Sequence, residues 1–139
     1  GIAEVVGGAG DFNHGYTYSG HPVACAAGIA ALDILVRDEL PARVAQEAPF
    51  WEALLHDGIA GKPHVTDVRN YGFAGAITLA PYPGEPLRRP FEVGMRLWEK
   101  GFLVRYGGDT IQLAPHFVMQ REQMTSLVEA LAETLDELA

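Results

Sequence analysis

The feature that most constrains this chain stands near its end. Met124, Leu127, Val128, Leu131, Leu135 and Leu138 recur at i, i+3, i+4, i+7, i+11 and i+14. With 3.6 residues to a turn, that spacing puts all six on one side of an α-helix. A helix with a single apolar stripe has to bury it against another layer, and the sequence upstream supplies one with a different period. HVTDVRNYG (64–72) and FAGAITLAP (73–81) show rough alternation and β-branched enrichment, which predicts two strands joined at Asn70 to Gly72. FLVRY (102–106) and TIQLAP (110–115) predict two short strands around the turn Gly107-Gly108-Asp109. Helices flanking a small, mainly antiparallel sheet make an α+β domain.

The remaining elements fall around that sheet. Residues 1–19 are glycine-rich and irregular. Pro22 suits the first turn of a helix, where its missing N–H costs nothing. Val23, Ala26, Ala27, Ala30, Ala31, Ile34 and Leu35 then make a stripe of mostly small side chains, which predicts a central, well-covered helix. Asp38 to Pro41 reads as a break. A second amphipathic helix carries Val44, Phe50, Trp51, Leu54 and Leu55 and ends near Gly58 or Gly61. YPGEPLRRP reads as a proline-punctuated loop. A further helix, from about Phe91 to Lys100, carries Val93, Leu97 and Trp98 and is stopped by Gly101.

Composition narrows the class of partner. The 139 residues suffice for one core, and a 48% hydrophobic, 20% charged composition is that of a globular chain. A formal net charge of -8 disfavours nucleic acid and anionic lipid. Cys25 is the only cysteine, so no internal disulfide forms, and its alanine-rich surroundings predict a buried thiol. No signal peptide and no apolar run long enough for a bilayer are present, so the expected compartment is the cytoplasm. The opening GIAEVVGGAG lacks an initiator methionine and reads as part of something longer.

Few residues offer chemistry. GGAG at 7–10 follows no strand and lacks the spacing of a dinucleotide fingerprint. Histidines 14, 21, 56, 64 and 116 have no metal-ligand spacing, so no metal is expected. Asp33 and Asp38 do not form a carboxylate pair, and no G-x-S-x-G elbow occurs. Two features remain. Thr17 and Ser19, in HGYTYSGHPVACAAG (14–28), stand just before a helix and either cap it or meet an anion such as phosphate. Arg105, beside a glycine pair, either presents its planar fork to a carboxylate or pairs with Asp109 or Glu99.

The order of these pieces resembles the C-terminal third of class III aminotransferases, fold type I enzymes that use pyridoxal 5'-phosphate (PLP). HGYTYSGHPVACAA with AALDIL (30–35) resembles one family segment, and GFLVRYGGDTIQLAPHFVMQREQM (101–124) resembles a second, in the family's order and distance. The SGHP form is similar to the ω-amino acid or amine:pyruvate transaminase branch. The resemblance implies that Thr17 binds the PLP phosphate of a neighbouring subunit and that Tyr16 lines that cofactor and substrate site. It implies that Arg105 grips a substrate carboxylate and swings aside for an uncharged amine. A homodimer with shared active sites follows, acting on a small amine or amino acid and pyruvate.

The departures matter as well. The family's Schiff-base lysine belongs upstream of HGYTYSGHP, whereas this chain has only Lys62 and Lys100. The aspartate for the pyridine nitrogen and the large-domain phosphate loop are also missing, and Gln120 replaces a threonine expected before the last helix. No catalytic residue is therefore expected here, and the chain alone should be inactive. The expected architecture is the end of the large PLP-binding domain at 1–40 and the small C-terminal α+β domain at 41–139. Two rivals stay open: another class III PLP enzyme, an aminomutase or decarboxylase-like relative, and a non-catalytic dimerisation or binding module.

Overall fold

Alternation along the second predicted strand sorts the sheet into two faces. Gly75, Ile77 and Leu79 are buried, while Ala74, Ala76 and Thr78 between them are not. The structure, a computed structural model, describes residues 1–10 and 15–139. Its elements run α1 (Ile2–Gly8), α2 (Pro22–Arg37), α3 (Leu40–Ile59), β1 (Val65–Tyr71), β2 (Ala74–Leu79), α4 (Arg88–Glu99), β3 (Arg105–Gly107), β4 (Thr110–Leu113) and α5 (Arg121–Asp136). They divide into two compact units, Gly1–Asp38 and Glu39–Ala139.

The second unit holds the core. Its sheet has the order β1-β2-β4-β3 with every pairing antiparallel. The helices cover one face only, so that face is apolar and the other polar. Ile77 and Ile111 sit opposite one another on the covered face, both fully buried. Against them pack Trp51, Leu55 and Ile59 of α3, at i, i+4 and i+8, and Met124, Leu127, Val128, Leu131 and Leu135 of α5. Leu138, the last residue of the predicted stripe, lies beyond the end of α5 and is half-buried. Its carbonyl oxygen instead meets His64 Nε2 at 2.9 Å.

Pro49 stands inside α3 without breaking it. It removes one helical donor, and the burial of Trp51, Leu55 and Ile59 just beyond it holds the helix together. At the start of α5, Gln123 Oε1 accepts from the Gln120 N–H at 2.9 Å, a back-reaching bond that makes up for the weak cap at Gln120. α4 starts at Arg88, three residues before its predicted start, so Arg88-Arg89-Pro90 belong to the helix and not to the preceding loop. Its Trp98 is 60% exposed, because the buried stripe of α4 runs through Pro90, Val93 and Leu97.

The first unit differs from expectation in three respects. Residues 2–8 form α1 where irregular chain is predicted: one stretch of seven residues closes helical turns despite its glycines. α2 forms as predicted but has no buried residue. Val23, Ile29, Leu32 and Val36 are all more than 60% exposed, and Cys25 is exposed as well. A stripe of small residues permits close approach without supplying the surface that approaches. α2 ends where Arg37 pairs with Asp38, after which Glu39 takes a left-handed conformation, φ 48°.

Candidate functional site

The predicted site residues fall into two clusters, one on each unit. In the first, the turn at 17–20 is closed by its own members. Ser19 Oγ accepts from the Tyr16 N–H at 3.0 Å, and the Ser19 N–H donates to the Tyr16 carbonyl at 2.9 Å. The cap of α2 is His21, whose Nδ1 accepts from the Ala24 N–H at 3.4 Å. Neither Thr17 nor Ser19 caps the helix. Ser19 is used by the turn, His21 by the helix, and the Thr17 hydroxyl makes no hydrogen bond with another described residue. Thr17 is exposed, as is Tyr16 at 75%. His14, the first residue of the motif, lies outside the described residues.

The second cluster surrounds Arg105 on the open face of the sheet. The register places Arg105 opposite Gln112, Gln112 opposite Ala76 and Ala76 opposite Arg69, a single row across four strands. Beside Arg105 is an open cavity of about 580 Å³ whose wall includes Leu103, Gln112, Pro115, His116 and Met119. The far wall is tied down by Arg43 of α3, which donates to the carbonyls of Phe117 and, at 2.7 Å, of Met119. An apolar pocket with a few polar groups converging on it is a form suited to a small organic ligand.

What sets Arg105 apart is electrostatic. Arg37, Arg69, Arg88, Arg96 and Arg121 pair with carboxylates, and Arg43 and Arg89 donate to backbone carbonyls. Lys62 pairs with Asp136 at 2.6 Å, and Lys100 pairs with Glu133 and Glu137, each at 2.8 Å. Among the described residues, Arg105 alone of the ten lysines and arginines has no partner. Asp109, one of its predicted alternatives, instead accepts from Thr110 Oγ1 at 2.9 Å, and no pair with Glu99 forms. An exposed guanidinium on a strand, flanked by a cavity and free of carboxylates, can hold a carboxylate through two parallel N–H···O bonds.

Sequence reasoning missed Gln112 and His116 as neighbours of that cavity. Gln112 was legible in principle. A two-residue connection at Gly108-Asp109 forces residue 105 opposite 112. His116 had no such signal, because its place depends on the path of an irregular loop. Among the described residues no group of three or more His, Cys, Asp or Glu side chains could hold a metal ion, and no helix is long and apolar enough to cross a membrane.

The second unit is a one-sided antiparallel sheet backed by helices, an α+β fold with an unpaired arginine on its open face, and the hydroxyl-bearing turn ahead of α2 belongs to the first unit. The sequence profile described as aminotransferase class-III matches residues 2–135, and this chain belongs to the class III aminotransferase family. It is 54% identical over 129 residues to a beta-alanine–pyruvate aminotransferase of Pseudomonas aeruginosa, covering 93% of this chain and 29% of that protein. It is 52% identical over 128 residues to an omega-amino acid–pyruvate aminotransferase of Pseudomonas putida, covering 92% and 28%. The fold is similar to that of a PLP-bound mutant aminotransferase from Vibrio fluvialis, with a TM-score of 0.81 at 27% identity, covering 99% of this chain and 31% of that one. The chain thus spans less than a third of the length of these relatives.

Proposed function

We propose that this chain is the C-terminal part of a PLP-dependent transaminase that moves an amino group from an amine or ω-amino acid to pyruvate. The observation that carries the reading is the unpaired guanidinium of Arg105 beside its cavity, on a chain whose close relatives are named for pyruvate. Pyruvate is small and carries one carboxylate. Charge-assisted hydrogen bonds to such a group contribute about 1.5–3 kcal/mol each. The long, flexible stem of Arg105 also allows the head to leave when the substrate has no carboxylate.

The residues present fit one part of a PLP site. The Thr17 hydroxyl has donor capacity left over, in a turn directly ahead of a helix, and such donors suit a dianionic phosphate. Thr17 holds that phosphate in the partner subunit, and Tyr16 lines the same site. When bound, PLP supplies the carbonyl that takes up the amino group and a ring that withdraws electrons from the reacting carbon. Neither lysine of the chain lines the cavity beside Arg105, and neither is proposed to carry the cofactor. Residues 1–40 then act as the end of the cofactor-binding domain and 41–139 as the small domain.

The intact enzyme is a homodimer with shared active sites. The reading places the enzyme in the cytoplasm.

The test is Arg105→Ala in the full-length enzyme. KM for pyruvate should rise about 10- to 100-fold, the loss of one or two charge-assisted bonds. KM for a simple monoamine should change by less than about threefold. Equal effects on both substrates would remove the carboxylate role.

A further inference from the structure

Gly94 stands in the middle of α4 and is buried, at a position where alanine would serve the helix better. One neighbour excludes a side chain there. A Cβ on Gly94 would lie 2.5 Å from Cδ1 and 2.7 Å from Cε1 of Tyr106, and 3.5 Å from Cγ. The crowding falls on one edge of the ring, with Cγ in ordinary contact, so the Tyr106 ring must turn or shift out of its place to admit a side chain. Phe91, three residues earlier on α4, also meets Tyr106, edge-on with ring centroids 5.8 Å apart.

Tyr106 is the middle residue of β3, a three-residue edge strand paired only with β4. Alternation sends Tyr106 to the helix-covered face, opposite Ile111, and Arg105 to the open face, opposite Gln112. So short a ladder leaves the strand weakly fixed, and the ring on α4 is its second tether.

We infer that Gly94 is a positioning residue for carboxylate recognition: its bare backbone seats Tyr106, the seat fixes β3, and β3 sets the point from which Arg105 reaches the substrate. The inference rests on the reading of Arg105 as the carboxylate-binding residue. Bidentate contact with a carboxylate tolerates little displacement, and misplacement of a binding group by about 1 Å costs up to about 100-fold in rate. The ring yields to a methyl group at position 94 either by shifting with β3 or by leaving its seat, and either outcome loosens the point from which Arg105 reaches.

The experiment uses the full-length enzyme and reads KM and kcat for pyruvate and for a carboxylate-free monoamine, together with the unfolding temperature. Gly94→Ala should raise KM for pyruvate about fivefold or more while KM for the monoamine stays within about twofold. Tyr106→Phe keeps the ring and should leave both unchanged. Tyr106→Leu removes the ring without crowding and should reproduce the pyruvate effect, so the result does not depend on how well Gly94→Ala folds. A uniform loss on both substrates, or an unchanged KM for pyruvate in both Gly94→Ala and Tyr106→Leu, overturns the seat. Arg105→Ala separates the two readings. If it raises KM for pyruvate and the seat variants do not, only the seat is wrong; if it too leaves KM unchanged, the carboxylate reading fails with it.

Discussion

Thr17 sits in a turn whose hydrogen bonds are all made by its neighbours. Ser19 closes the turn, His21 caps α2, and the threonine hydroxyl is left over. A cap lost to alanine would lower stability by about 1 kcal/mol. Because Thr17 caps nothing, Thr17→Ala should leave the unfolding temperature of the apoenzyme unchanged and weaken PLP retention about tenfold, the loss of one charge-assisted bond. Equilibrium dialysis of the full-length enzyme against limiting PLP reads this, and Thr17→Ser should retain the cofactor. A lower unfolding temperature with normal retention would make Thr17 a structural residue. The contrast between Thr17 and Cys25 shows what one sequence can reveal about single residues. Thr17 and Arg105 were legible as polar groups in unusual settings, whereas burial of Cys25 was inferred from small neighbours and the structure exposes it. Burial depends on what lies against a face, and neighbours along the chain do not report that.

At the scale of elements, α4 and α5 are clamped by charge across their ends. Lys100 meets Glu133 and Glu137, and Arg96 meets Glu137 at 3.1 Å. The Lys100 ammonium, and then the Arg96 guanidinium, hold the Glu137 carboxyl below its ordinary value of 4.5, while Glu133 and Glu137 hold Lys100 above its ordinary 10.5. A carboxyl whose value is lowered on folding stabilises above its unfolded value, and that contribution disappears as pH falls through the folded one. The clamp should therefore weaken below about pH 4.5. An ammonium whose value is raised stabilises below its unfolded value, and its share is lost as pH rises through the folded one. Lys100→Met should flatten the fall of unfolding temperature between neutral and acid pH, and added salt should flatten it in the wild type, since these pairs are exposed and screened. An unchanged acid slope in Lys100→Met would show the pairs to be without consequence. The elements most legible in the sequence were those with strong periods, α5 and the hairpin of β1 and β2. α1 escaped because its glycines mask a short helical stretch, and the early start of α4 escaped because two prolines and two arginines look like loop.

For the molecule as a whole, the second unit is a one-sided sheet: three helices back it, and its bare front carries Arg105. That architecture was legible from the alternation of strand and helix periods. The proposed sharing of one site by Thr17 and Arg105 was not legible there: the two residues lie in separate units, and only the family resemblance relates them. By itself the 139-residue chain should produce no alanine from pyruvate and an amine. The most direct test of the central claim is complementation between subunits of the full-length enzyme. Thr17→Ala subunits and Arg105→Ala subunits are unfolded together, refolded as an equal mixture, and assayed for transamination at limiting PLP and at pyruvate well below the wild-type KM, where each parent alone is nearly inactive. If Thr17 serves its partner's site and Arg105 its own, every mixed dimer contains one site with both native residues, and activity should recover to about a quarter of wild type in a randomly mixed population. Activity no higher than the mean of the two parent variants would contradict the account.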